Sequence, residues 1–341
     1  MNTKLVEKKS ILYVYQPSTF WNDAVKKIES YIRKNGIRRF RSDNTNLAFF
    51  VPTYGSPGNG FSCDFIAKVL SNVELNLNSK QRIFLKNKFS GFDHALSDYR
   101  AFKISNSDQD PLGLLKFSES KIGSPIEHFN FEEKWFSRSS LNYLLGLTFL
   151  LSVAPNFKPR KILEIGGGFG SLAEILAKSS LTEYKYLGFD FPVMSKIAKN
   201  YLSNCLKNMK PNSITEKLPV ENFTFDDLSQ FSFLPNWKIE DLQGSIDLFI
   251  NFISFQEMEP EIVSNYISHI QRLKPEWVLL RNMREGKQVA ENKKVGVKKQ
   301  ILTKDYLTFF SKYKLVKSSV LEYGFETVDG FNSELLVLKK K

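Results

Sequence analysis

The stretch Lys161-Ile162-Leu163-Glu164-Ile165-Gly166-Gly167-Gly168-Phe169-Gly170-Ser171-Leu172 carries the deciding pattern of this chain. Its first part, 161–165, is an apolar run of strand length. Glycines at 166, 168 and 170 then open backbone conformations that other residues avoid. From 171 to 178 the apolar side chains recur at helical spacing. Toward the C-terminus the alternation continues with strand 184–189, helix 193–208, strand 247–253, helix 260–273, strand 277–280 and a helix containing 306–312. Two late strands, 314–322 and 333–339, leave no room for a helix between them. The expectation is an α/β fold: a mostly parallel sheet covered by helices, with an antiparallel C-terminal edge strand.

Toward the N-terminus the pattern changes. Over 19–34 the residues Phe20, Trp21, Ala24, Val25, Ile28, Tyr31 and Ile32 share one helical face, and Gly36 ends it. The turn residues of 54–60 make a loop. Residues 64–104 read as helical with a break near Gly91, 105–111 as a loop, and 139–153 as helix. The segment 136–143 is a candidate lid, with a plain helix start capped by Ser139 or Ser140 as the alternative. Two regions follow: a mainly helical substrate or cap region, 1–155, and a ligand-binding sheet region, 156–341.

Composition narrows the function classes. The 341 residues, 42% of them hydrophobic and with 30 Phe, suffice for a large core. Cys63 and Cys205 form no CxxC or Cys/His cluster, which speaks against a metal site and fits two free thiols. The start of the chain is charged and lacks the apolar stretch of a signal peptide. The longest apolar run, 144–154, falls well short of the roughly 20 residues of a membrane span. A cytoplasmic protein without a membrane span is expected. The net charge of +12 is scattered, apart from 38–41 and 287–299, and reads as a solvated surface more than a nucleic-acid interface.

A strand, a glycine-rich turn and a helix in succession form a recurring nucleotide site, because backbone N–H groups and the helix N-terminus face the ligand. The turn here is Glu164-x-Gly166-x-Gly168-x-Gly170, and Asp190 closes the next strand, where a carboxylate can accept from both ribose hydroxyls. Residues 168–173 also satisfy G-x-G-x-x-A, so the glycines alone admit NAD. Glu164 favours S-adenosylmethionine (SAM): a carboxylate before the first glycine can reach an ammonium but would face a pyrophosphate unfavourably. The mid-chain position of the turn and the final strand pair point the same way.

At these residues the chain resembles the class I SAM-dependent methyltransferases, whose motif is E/D-x-G-x-G-x-G. The resemblance implies a Rossmann-like methyltransferase sheet. It also implies that Glu164, Gly166, Gly168 and Gly170 hold the methionine part of SAM, that Asp190 holds the ribose and that Phe191 borders the adenine. Further segments are Phe40-Arg41-Ser42 before Phe50-Val51-Pro52-Thr53-Tyr54-Gly55, then Gly123-Ser124-Pro125, Asp190-Phe191-Pro192 and Ser254-Phe255-Gln256-Glu257-Met258. Together they resemble the sugar O-methyltransferases of bacterial surface-polysaccharide gene clusters. That implies transfer of a methyl group to a hydroxyl of a nucleotide-linked sugar or glycan precursor.

Alkylating an alcohol calls for a base within hydrogen-bond reach of the oxygen. Glu257, after strand 247–253, is the candidate, as base or as a group orienting the hydroxyl; the alternative is a helix N-terminal acid. His128 is a second candidate base, with a structural or surface role as its alternative. Asn251 at the strand end is expected to touch the amino-acid part of the cofactor or to cap the sheet. Gln256 occupies the place where plant-type O-methyltransferases carry His, and an amide can bind a sugar without serving as a base. Arg281 and Asn282 follow the next strand as candidate substrate ligands or as part of a structural ion pair. No carboxylate cluster follows strand 247–253, so no metal is expected. The Asn/Asp-Pro-Pro-Tyr-type motif of base amino-group methylation is absent, which speaks against nucleic acid. A non-catalytic SAM-binding module is the remaining alternative.

Overall fold

The computed structural model describes residues 13–341 except 44–45, 47–49, 51–67, 69–70, 73–76, 107–109, 207–212, 218, 220, 291–295, 321 and 327–329. The charged start of the chain, the 51–55 segment, the loop expected over 54–60, Cys63 and the middle of the basic 287–299 run lie outside the described residues.

In the N-terminal region α1 (Asn22–Asn35) buries Ala24, Val25 and Ile28 and ends at Gly36, whose φ is 70°. Helices α2 (Ser79–Ser90) and α3 (Phe92–Ser105) meet at Gly91, at φ 78°, the break expected from the sequence. A short hairpin follows, β1 (Phe129–Phe131) with β2 (Lys134–Phe136). Its turn residues Glu132 and Glu133 both adopt positive φ, the conformation that matches the twist of paired strands. Strands this brief leave no alternation to read. Helix α4 (Arg138–Leu151) is capped reciprocally by Ser137 and Ser140 and is buried on nearly every side.

The sheet contains β3 (Lys161–Ile165), β4 (Lys185–Asp190), β5 (Phe231–Pro235), β6 (Leu248–Phe252), β7 (Trp277–Met283), β8 (Tyr313–Ser319), β9 (Phe325–Glu326) and β10 (Asn332–Lys340). Its order is β5-β4-β3-β6-β7-β10-β8, with β9 paired to β10. Strands β3 to β7 are mutually parallel, and β10 runs antiparallel to both β7 and β8. The reversed strand stands one place in from the edge. Leu335, Leu336, Val337 and Leu338 are all buried, as a strand covered on both faces requires. The edge strand β8 is mostly exposed and carries Lys314 and Lys317, which discourage further pairing.

Successive strand residues divide between two cores, the period-two pattern of a sheet covered on both sides. Ile162, Leu248, Ile250 and Leu279 pack with α4 and with α5 (Ser171–Ala177). Leu163, Phe249, Val278 and Leu280 pack with α7 (Pro260–Leu273) and with Tyr306 of α8 (Thr303–Phe309). Helix α6 (Pro192–Cys205) joins α1 in a third cluster around Phe169. Because α4 shares the first core, the apolar packing does not break at residue 155. No helix among the described residues is long and apolar enough to cross a membrane.

Candidate active site

The chain leaves β3 toward β4 and β5, then returns to lay β6 on the other side of β3. Where neighbouring strands send their connections in opposite directions, a crevice opens at their carboxyl ends. A cavity of about 250 Å³ lies there. One wall is the turn after β3 with Asp190 and Phe191; another is Ile253, Ser254, Gln256, Glu257 and Met258, after β6.

Gly166, Gly168 and Gly170 have φ of 74°, 60° and 95°. At Gly166 a Cβ would lie 2.2 Å from Ser254 Oγ, so the turn can press against the β6 segment only without a side chain. A Cβ on Gly168 would meet nothing, because that residue faces the open cavity. Gly170 precedes α5 and lies behind the lining. Asp190 ties this wall together: its Oδ2 accepts from Gly168 N–H at 3.0 Å and its Oδ1 from Phe191 N–H at 2.7 Å. Burial pushes its carboxyl up to about 7, against the opposing effect of those two donors.

Glu164 is fully buried and does not line the cavity. A Cβ on Gly167 would come within 2.4 Å of its Oε2, so the carboxylate lies beneath the turn's backbone. The Tyr186 hydroxyl donates to it. Burial pushes Glu164 up to about 7, while the Tyr186 and Tyr143 hydroxyls pull it back down. Tyr143 of α4 does line the cavity, with its ring stacked on Phe252 at 4.8 Å.

Asn251 and Asn282 also stand behind the lining, in a knot of bonds that shapes it. Asn251 Nδ2 donates to Ile165 O at 3.0 Å and to Ser254 Oγ at 2.6 Å. Its Oδ1 accepts from Phe255 N–H and from Asn282 Nδ2. Asn282 Oδ1 takes Gln256 N–H, and Gln256 Oε1 takes Met283 N–H at 2.7 Å. Gln256 reaches the cavity wall, and its amide oxygen is committed to the backbone. The knot holds Ile253 at φ 70°, a strained position for a β-branched residue that aims the next turn into the crevice. Arg281 is wholly buried outside the lining and donates to Asn142 Oδ1 at 2.9 Å and to Tyr323 O.

Glu257 lines the cavity. Its Oε2 accepts from the Trp21 indole at 2.9 Å and its Oε1 from Lys287 Nζ at 3.0 Å. His128 lies elsewhere, stacked on Trp135 at 5.0 Å and 3.6 Å from Glu119. Burial and the neighbouring Arg41 cation push its ring down to about 3, so it is neutral. Glu119 is the hub of that region. It binds Arg41 at 2.6 Å and takes the Ser137 and Ser140 hydroxyls that start α4. Arg41 in turn sits 4.6 Å over the Phe169 ring of the glycine turn. Its backbone bonds to Gly123 O and Ile126 N–H join the Phe40-Arg41-Ser42 and Gly123-Ser124-Pro125 segments, and they brace the cavity from behind.

The cavity residues that the sequence does not mark as ligand contacts include Trp21, Lys287, Tyr143 and Asn236. Trp21 looks like helix core, Lys287 like a solvated basic run, and Tyr143 like part of a lid. Asn236 follows β5, which has no counterpart among the expected strands. Its Nδ2 donates to Tyr15 O and Tyr266 OH, while its buried Oδ1 has no partner. Among the described residues no group of three or more His, Cys, Asp or Glu side chains is gathered to hold a metal ion.

No family model matches the chain, and no curated protein matches it. Solved structures align with it at low identity. Magnesium protoporphyrin IX methyltransferase from Synechocystis PCC 6803, with bound SAM, is 15% identical over 77% of this chain and 98% of its own, with a TM-score of 0.39. TehB from Haemophilus influenzae is 13% identical over 57% of this chain and 62% of its own, with a TM-score of 0.38. The pyocyanin biosynthetic protein PhzM is 11% identical over 57% and 58%, with a TM-score of 0.37. Likeness so slight carries no weight for this chain; its Rossmann-like fold rests on its own strand order, parallel at the site and reversed at β10.

Proposed function

We propose that this chain is a SAM-dependent O-methyltransferase acting on a sugar hydroxyl, in a nucleotide-linked sugar or a glycan precursor. One observation carries the reading: a single crevice at the strand switch point has a glycine turn and Asp190 on one wall and Glu257 on the other. The residues present fit the cofactor. Gly168 leaves open space, Asp190 offers two acceptor oxygens for ribose, and the buried Oδ1 of Asn236 lacks a donor that an adenine amino group can supply. Phe191 borders the same end. Bound there, SAM supplies an electrophilic methyl group. Glu164 lies beneath the turn, tied to the Tyr186 hydroxyl, and adds negative charge behind it. Asn251, Asn282, Gln256 and Arg281 act by shaping the wall opposite.

Glu257 is the proton acceptor for the acceptor hydroxyl, being the carboxylate that the segment after β6 brings to the cavity lining. His128 stands outside the cavity and is not needed for this role. A second reading, a hydroxylated aromatic acceptor, is favoured by the rings of Phe20, Trp21, Phe50, Tyr143, Phe252 and Phe325 that line the cavity. Incubating the protein with SAM and a panel of nucleotide sugars and phenols, and measuring S-adenosylhomocysteine, decides between them. Product with sugars supports the first reading, and product with phenols alone the second. No product with any hydroxylated acceptor would leave a non-catalytic SAM-binding module.

A further inference from the structure

Three segments remote in sequence converge on Glu257. Its own helical turn follows β6, Trp21 precedes α1, and Lys287 stands in the connection after β7. The Trp21 and Lys287 donors take one carboxylate oxygen each. Ser18 Oγ also donates to the Glu257 backbone carbonyl at 2.7 Å. Lys287 and Glu257 side chains are only 14% and 9% exposed, and both line the cavity. The Phe20 ring closes over the lysine, its centroid 4.5 Å from Nζ. A lysine serving only solubility extends its ammonium into water. This one gives up much of its hydration to meet a single carboxylate in the cavity wall.

A carboxylate has about four acceptor positions. One donor on each oxygen leaves positions free on both while fixing the plane of the group. We infer that Lys287 is a positioning residue for Glu257: with Trp21 it fixes the direction of the free lone pairs and keeps the negative charge inside the cavity. The inference rests on Glu257 being the proton acceptor named above. A buried carboxylate that loses its cation is costly, and it relieves the cost by turning toward water. It then no longer accepts a proton at the same point. An arginine at 287 keeps the charge; a methionine keeps only the apolar stem.

The test reads the carboxylate through its indole partner. In full-length protein with nitrogen-15-labelled tryptophan, the Trp21 indole N–H resonance is assigned by its loss in Trp21→Phe. Glu257→Gln sets the position of that resonance when the charge is gone. Lys287→Met should move it most of the way to that position, and Lys287→Arg should leave it near the wild-type value. With the acceptor that yields S-adenosylhomocysteine, Lys287→Met should lower kcat about tenfold or more at unchanged SAM affinity, with recovery in Lys287→Arg. A Trp21 resonance unmoved by Lys287→Met overturns the inference. Full turnover in Glu257→Gln, with the resonance still moved by Lys287→Met, would leave the positioning contact standing and remove Glu257 as proton acceptor.

Discussion

The two walls of the cavity are built in different ways. The wall after β3 is local: strand, glycine turn, α5 and the end of β4 are consecutive, and Asp190 joins them through two backbone N–H groups. The wall around Glu257 is assembled from afar. Trp21 is 236 residues away in sequence and Lys287 is 30, yet each donates to the same carboxylate. Local geometry can be written into a short motif. A constellation drawn from three segments exists only once the chain has folded.

The largest expected effect falls on the assembled wall. Glu257→Gln should reduce turnover by about 100-fold or more with SAM affinity held, measured by steady-state kinetics beside calorimetry. Unchanged turnover would place the proton acceptor elsewhere. On the local wall Asp190→Ala should weaken SAM binding by roughly tenfold or more, the loss of a charged hydrogen-bond acceptor, without a matching loss of fold. Normal affinity in that variant would undo the ribose assignment.

A subtler contrast concerns pH. Burial raises the carboxyls of Asp190 and Glu164 to about 7, well above their ordinary range near 4. A raised carboxyl holds its proton longer in the folded chain than in the unfolded one. Its contribution to stability is therefore complete below about pH 4 and lost as pH rises through about 7. The ligand-free Tm should decline over that window, and Asp190→Asn together with Glu164→Gln should flatten the decline. A double variant with the same slope as the wild type would contradict the burial argument. The smallest effect is expected at His128: His128→Gln should leave kcat/KM within about twofold, because the ring stands outside the cavity. A large loss there would restore it as a candidate base.

The same division explains what could be read in advance. The strand at 161–165 and the helix at 260–273 have the limits expected of them, because each is bounded by turn residues and has one period. Strand β5 is hard to see in the sequence, where Ser232 and the terminal Pro235 argue against a buried strand; an edge position and a strand end make that proline harmless. Without β5, Asn236 has no address. Asn251 shows the reverse limit. Its place at a strand end is legible, but the choice between touching a ligand and bracing the sheet depends on Ile165, Ser254, Phe255 and Asn282 arriving around it. Lys287 belongs to a run whose charge density suggests water, and only the fold turns it inward.

Titration calorimetry of the purified chain with SAM, S-adenosylhomocysteine and NAD tests the central claim most directly. The cavity should bind SAM and its demethylated product and leave NAD unbound. Uptake of NAD with no heat from either sulfur ligand would contradict it.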